Sequence, residues 1–304
     1  MRTPFDMPAF VLEWQNVLKK RVEAQEISAD TATGYKRGVM KFLAWLQSQQ
    51  PTSNAIRAWK AELLKAGIRP ASVNVWLAGL RSLFSWLAEG GQIPFDPAQA
   101  VKGATREGTK KRHIREPLSD SEVRRLLKQP NRQTAEGIRD YAMLALMLYT
   151  AARSIELHRA DLADLKTINS KLVLYVQGKG HRGKDDMLVI TGEAENAMRA
   201  WLSVRGKKVG ALFMSMSNRT RGERLSRKSL REIVKGYFDA AGVHGNKTTR
   251  SLRHTAITSA IRHGASAEKV KGMSRHASLD TLMIYYHEID RIDDPAEQYI
   301  SYGE

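Results

Sequence analysis

A chain of 304 residues that is 42% hydrophobic has the length and apolar content for two folded domains, and is excluded from general disorder. It has no cysteine, which excludes disulfide frameworks, thiolate zinc sites and cysteine nucleophiles, and its eight histidines include no His-Glu-x-x-His pair or other tight ligand spacing. Its 49 lysines and arginines against 32 acidic residues give a net charge of +17, and so lopsided a sign predicts a polyanionic partner, because neutralising phosphates releases counterions.

The first hundred residues read as helices. Phe10, Val11, Trp14, Val17 and Leu18 recur at helical spacing, as do Tyr35, Val39, Phe42, Leu43 and Leu46 after the capping candidates Asp30 and Thr31. Ile56, Trp59, Leu63 and Leu64 predict a third helix, and the set from Val73 to Leu87 a fourth, closed by Gly90-Gly91. A helical domain of four or five helices over 1–105 is expected. The stretch from Ile93 to Pro117 holds three prolines and the basic run Lys110, Lys111, Arg112, His113 and Arg115, with no apolar periodicity. Its part at 106–117 reads as an exposed basic linker.

Past the linker, Ser119-x-x-Glu122 is a capping box ahead of Val123, Leu126 and Leu127. Ile138 to Thr150 is apolar nearly all round and predicts a buried helix. The longest apolar stretch, Tyr141 to Ala152, is too short to span a membrane, and the N-terminus lacks a signal-peptide layout. No membrane partner and a cytoplasmic, nucleoid-associated location are therefore expected. Two strands, Leu172 to Gln177 and Met187 to Ile190, flank the glycine-rich stretch Gly178 to Lys184, and helices resume at 194–202, 228–241 and 251–263. The fold class expected is mainly α, with an all-helical N-terminal domain and an α+β domain over 118–304 that carries a small antiparallel sheet.

Three segments carry candidate chemistry. Arg153 and Glu156 stand at i and i+3 just past the buried helix, a spacing that also suits a plain surface ion pair. Thr249-Arg-Ser-Leu-Arg-His-Thr255 gathers Arg250, Arg253 and His254 at the start of an apolar helix, where backbone N–H groups and guanidinium forks suit phosphate oxygens. Arg253 is expected to point inward, from its spacing to Leu252 and Ile257. Ser274-Arg-His276 lies ahead of Tyr285 and Tyr286, with nine residues from His276 to Tyr285. The stretch Gly178-Lys-Gly-His-Arg-Gly-Lys184 nearly fits a phosphate-binding loop, but Asp185 and a strand follow where Ser or Thr and a helix are required, so a nucleotide site is not expected.

The order Arg153, Lys179, Arg253, His276 and Tyr285 closely resembles the tyrosine recombinases, or lambda-type integrases. The resemblance runs through nearly the whole chain, from Thr31-Ala-Thr-Gly-Tyr35 and Phe42-Leu-Ala-Trp-Leu46, through Tyr149 to Leu157 and Gly178-Lys-Gly180, to Leu252-Arg-His-Thr255. It implies a clamp on double-stranded DNA core sites that breaks and rejoins strands through a 3′-phosphotyrosyl intermediate and a Holliday junction, with no cofactor and no metal. It also implies that Arg153 and Arg253 grip the scissile phosphate, Tyr285 attacks it, and His276 donates to a non-bridging oxygen. Lys179 would protonate the departing 5′ oxygen, with Lys184 and Arg182 as competitors, and Glu156 would orient the arginines. A homo-tetramer on two duplexes is implied, with accessory DNA-bending factors as possible partners and the tail at 295–304 as a candidate docking segment.

In one place the sequence departs from the resemblance. Arg250 stands where the family usually has a histidine, and an arginine cannot accept a proton near neutrality. Arg250 is then expected to contact phosphate, which leaves Glu156, water or no base at all to serve Tyr285. Adjacent tyrosines point about 100° apart on a helix; taking Leu279, Leu282, Met283 and Ile289 as the buried side places Tyr286 inward and Tyr285 near its edge. The rival readings are a type IB topoisomerase and a degenerate relative that only binds DNA.

Overall fold

The computed structural model describes residues 7–47, 49–105, 116–178, 183–280 and 282–286. Lys179, Arg182, residues 106–115 of the basic linker, Ile289 and the tail at 295–304 lie outside the described residues. The chain divides into two compact units, Met1–Thr109 and Lys110–Glu304.

Four helices build the described part of the first unit: α1 (Met7–Glu23), α2 (Ala29–Leu46), α3 (Ser53–Lys65) and α4 (Pro70–Glu89). The apolar faces expected from periodicity are buried, with Trp14, Leu18, Phe42, Trp59, Leu80 and Phe84 at their centre, except that Val75, expected in the stripe of α4, is exposed. The cap of α2 is Ser28, not Asp30 or Thr31; its side chain accepts from Thr31 N–H, and Thr52 does the same for α3 through Ala55 N–H. The segment after α4 is held against the bundle, since Asn74 exchanges two hydrogen bonds with the Ala104 backbone and Arg81 donates to the Val101 carbonyl.

Glycines set the closeness of α2 and α4. A Cβ on Gly38 would sit 2.5 Å from the Trp76 Cα, and one on Gly79 would sit 2.6 Å from the Tyr35 carbonyl oxygen. The obstructing atoms are backbone, so the helices themselves must separate to admit a methyl group. Gly38→Ala and Gly79→Ala gain about 1 kcal/mol in helix propensity but meet an overpacking cost of about 1–3 kcal/mol. Each is expected to lower the unfolding midpoint of the full chain. Tryptophan fluorescence reports mainly on this unit, because five of the six tryptophans, Trp14, Trp45, Trp59, Trp76 and Trp86, lie in it and only Trp201 lies in the second. An unchanged or raised midpoint would contradict the close-approach account.

In the second unit, α5 (Asp120–Leu127) opens with the expected capping box, and α6 (Ala135–Thr150) is buried nearly all round. The charges on α6 neutralise each other, as Arg139 donates to Asp140, and Tyr237 also donates to that carboxylate. A short α7 (Ser154–Arg159) leads to three antiparallel strands in the order β1 (Leu165–Ile168), β2 (Lys171–Val176) and β3 (Asp186–Ile190). The sequence reading had two strands. β1 was missed because its four residues form an edge that is largely exposed and does not alternate. Then follow α8 (Gly192–Arg205), α9 (Arg227–Ala240), α10 (Thr249–Arg262), α11 (Ala267–Ser274) and helical backbone at 279–280 and 282–286.

α10 packs on the central helix α6 and on α11. Thr255 on α10 also accepts from the Leu118 N–H at 2.8 Å, which fastens the entry of this unit to the same helix. The C-terminal end of α6, the N-terminal half of α10 and the turn after α11 therefore converge.

Candidate active site

At that convergence the chain turns twice through left-handed backbone. Ala151, fully buried after α6, has φ 52° and ψ 32°, and Arg275, after α11, has φ 55° and ψ 45°. Non-glycine residues pay for this conformation sterically, so tertiary contacts must hold them. The Ala151 carbonyl accepts from Arg253 Nη1 at 2.7 Å and from Arg275 Nη2 at 3.0 Å. Arg253 also donates to the Ser274 carbonyl, which ties α10 to both turns.

Arg153 is not on the face of a helical turn, as its spacing suggested. It caps α7 from extended backbone, and Glu156 lies in the first turn. The Glu156 carboxylate, 1% exposed, accepts from the Arg153 backbone N–H at 2.7 Å, from Arg153 Nη1 at 2.6 Å and from Arg275 Nη2 at 2.8 Å. Arg153 Nη2 reaches the Arg275 carbonyl at 3.3 Å. The ion pair of Arg153 and Glu156 is thus an internal fixture.

Arg153 and Arg275 both pair with this carboxylate, Arg253 lies within reach of its charge, and Asp186 acts on Arg275 from further off. Burial pushes the Arg253 pKa down to about 9, and the charges of Arg153 and Arg275 push the same way. Burial likewise lowers Arg275, against the opposing pull of Glu156. A pKa near 9 still leaves Arg253 charged at neutral pH, so the cluster keeps an excess of positive charge. Arg275 Nε is buried without a hydrogen-bond partner among the described residues. Such a site favours an anion with several oxygens, and guanidinium forks suit phosphate.

Beside the cluster lies Tyr285, close enough to Arg253 to interact electrostatically. Its hydroxyl is 2.5 Å from His254 Nδ1, and its ring faces that of His276 at 6.1 Å between centroids, 28° from parallel. His276 Nδ1 meets Ser274 Oγ at 3.2 Å. The helix-face argument fails for Tyr285 and holds in part for Tyr286, which is half-buried and packs against the same cluster. Tyr285 is buried at 4% exposure and shares the inward face with Leu282, while Leu279 and Met283 are exposed. Tyr286 donates to the Ala265 carbonyl at 3.1 Å. The reason is packing: the i, i+3 pair Leu282 and Tyr285 docks against α10 and α11, and that docking decides which apolar residues turn inward.

The structure therefore gathers Arg153, Glu156, Arg253, His276 and Tyr285. Arg250 is exposed at the start of α10, with its backbone N–H on the cap Thr248. Lys184, the rival to Lys179, donates to Asp161 at 3.0 Å and also to Asp164. Burial works to lower its pKa, but the hydrogen bonds to Asp164 and Asp161 prevail and raise it. Sequence reasoning missed Arg275 and gave His254 no role. Arg275 carries no motif of its own, and only the left-handed turn brings it onto Glu156.

This arrangement agrees with comparisons to known proteins. The model of the phage integrase family matches residues 116–291, and that of the phage integrase N-terminal SAM-like domain matches residues 13–91. A tyrosine recombinase of Synechococcus elongatus is 29% identical over 300 residues, covering 90% of this chain and 89% of its own length. The tyrosine recombinase XerC of Haemophilus ducreyi is 28% identical over 276 residues, covering 88% and 86%. Among solved structures, XerH site-specific recombinase bound to its palindromic difH substrate aligns with a TM-score of 0.72 at 18% identity, covering 95% of this chain and 84% of that one. A lambda integrase dimer bound to a core site aligns with 0.68 at 16%, covering 90% and 96%. The chain belongs to the phage integrase family. Its function is that of a site-specific tyrosine recombinase, an enzyme that cleaves and rejoins DNA strands.

Proposed function

We propose that the arginine cluster holds the scissile phosphate and that Tyr285 attacks it, forming a 3′-phosphotyrosyl bond as the 5′ oxygen leaves. The observation that carries this is the excess of buried guanidinium charge beside the Tyr285 hydroxyl. Attack adds negative charge to the phosphate oxygens, and cationic donors fixed in advance stabilise what develops in the transition state. Arg153 and Arg253 bind non-bridging oxygens, His276 donates a further hydrogen bond, and Glu156 fixes the direction of Arg153. Lys179 protonates the 5′ oxygen. Because one phosphodiester bond is exchanged for another, the bond energy is conserved for rejoining.

The same reading extends to assembly. A lambda integrase tetramer has been solved bound to a Holliday junction. For this chain we infer a homo-tetramer on two double-stranded core sites, formed in the cytoplasm on the nucleoid, with DNA-bending accessory factors as possible partners. Residues 1–105 form the core-site-binding domain, 106–117 the basic linker and 118–304 the catalytic domain. A nicked duplex that traps the covalent intermediate tests the chemistry, since a protein–DNA adduct surviving denaturation is expected. Strand exchange between two sites separates recombination from relaxation alone, and a chain giving no adduct would be a DNA binder only.

Arg250 is assigned a phosphate contact. Arg250→Lys is expected to keep partial cleavage activity and Arg250→Ala to lose more, with the shape of the pH profile unchanged, because a guanidinium binds phosphate but has no proton-accepting atom. Cleavage rates of the two variants across pH check this. Wild-type activity in Arg250→Ala would make the position a bystander.

A further inference from the structure

Tyrosine attack needs somewhere for the phenolic proton to go, and the described residues offer few acceptors. Arg250 has no acceptor atom and is exposed. Glu156 is occupied by three donors from Arg153 and Arg275. His254 differs from both. It follows Arg253 on α10, so the two side chains leave the helix about 100° apart. Arg253 turns to the Ala151 and Ser274 carbonyls, while His254 turns to Tyr285 with Nδ1 2.5 Å from the hydroxyl and ring centroids 5.3 Å apart. One helical step thus delivers a phosphate-binding group and a basic nitrogen to the same reaction centre.

We propose that His254 is the proton acceptor for Tyr285, an inference that rests on the reading of Tyr285 as the nucleophile. In its neutral Nε2–H tautomer, His254 presents a lone pair at Nδ1. As the Tyr285 oxygen bonds to phosphorus, its proton passes to Nδ1. The bond from phosphorus to the 5′ oxygen breaks, its electron pair stays on that oxygen, and a separate acid protonates it. Rejoining reverses each transfer: the imidazolium returns its proton to Tyr285 as the 5′ oxygen reattaches. No net proton is consumed, and no oxidant or reductant is required.

The test measures single-turnover cleavage by the full-length protein on a nicked duplex, and on the same duplex with sulfur in place of the 5′ leaving oxygen. General-base catalysis typically contributes about 10²–10⁴-fold. His254→Gln is expected to slow cleavage by at least about 10²-fold on both substrates while DNA binding is kept. Sulfur removes the need to protonate the leaving group, but not the need to deprotonate the nucleophile, so it should not rescue this variant. Added imidazole should partly restore His254→Ala, which keeps the proposal testable if the glutamine variant binds or folds poorly. Cleavage at or above the wild-type rate in His254→Gln would overturn it, because His254 would then only park the hydroxyl. Failure of imidazole to restore a DNA-bound His254→Ala would overturn it as well. If the adduct forms on a residue other than Tyr285, the nucleophile assignment has failed instead, and the two failures are told apart by where the DNA is attached.

Discussion

Arg253→Met is expected to abolish detectable cleavage while leaving the DNA-free protein nearly as stable as the wild type. The two effects separate because the residue serves an anion supplied from outside. Burial and the neighbouring guanidiniums push its pKa well below the usual arginine value, to about 9, so protonated Arg253 destabilises the DNA-free fold. The sign of the linkage follows: a base whose folded pKa is lowered carries its full cost below that pKa, here at every pH under about 9, and loses it as pH rises toward the unfolded value. Methionine removes that cost and fills much of the volume. It also strips donors from the Ala151 and Ser274 carbonyls, at about 1–3 kcal/mol for each acceptor left unsatisfied. These opposing effects leave a small net change. Catalysis has no such compensation, since removing one donor aimed at developing charge costs about 10²–10³-fold, and here a full charge goes with it. Thermal unfolding and single-turnover cleavage of the same preparation check both halves. A variant that cleaves normally would remove Arg253 from the role proposed, and one that fails to fold would contradict the compensation of its stability.

Lys179→Ala is expected to lose cleavage of ordinary DNA by about 10²–10⁴-fold, yet to cleave DNA carrying sulfur at the 5′ leaving position at close to the wild-type rate. A thiolate leaves without a proton, so only a residue that supplies one is bypassed in this way. Lys184→Ala should behave differently. Lys184 is held by Asp161 and Asp164, and a raised pKa makes it a poorer proton donor. Removing it should lower stability with little sulfur-dependent change in rate. Normal activity in Lys179→Ala together with sulfur-rescued loss in Lys184→Ala or Arg182→Ala would reassign the acid.

What the sequence revealed follows from which forces are local. The apolar faces of α1 to α4 were legible because each helix buries a continuous stripe, and the capping box of α5 because its two side chains satisfy the helix end within four residues. Arg253 was expected inward because Leu252 and Ile257 bracket it, and it is buried. β1 was not legible, since an exposed four-residue edge carries no alternation. The burial of Tyr285 was not legible because this helical segment takes its buried face from its partners, and those partners lie on α10 and α11. Arg275 and His254 were hidden for a related reason. The Arg275 contacts depend on left-handed turns at Ala151 and Arg275, neither marked by a glycine, and the His254 contact depends on Tyr285 docking onto α10.

The residue that becomes joined to DNA tests the central claim most directly. Covalent complexes trapped on a nicked duplex can be digested and the nucleotide-bearing peptide located by mass spectrometry. The arrangement of Tyr285 beside Arg253, His254 and His276 predicts the nucleotide on Tyr285, with no adduct from Tyr285→Phe and continued cleavage by Tyr286→Phe. A nucleotide on Tyr286, or an adduct formed by Tyr285→Phe, would contradict it.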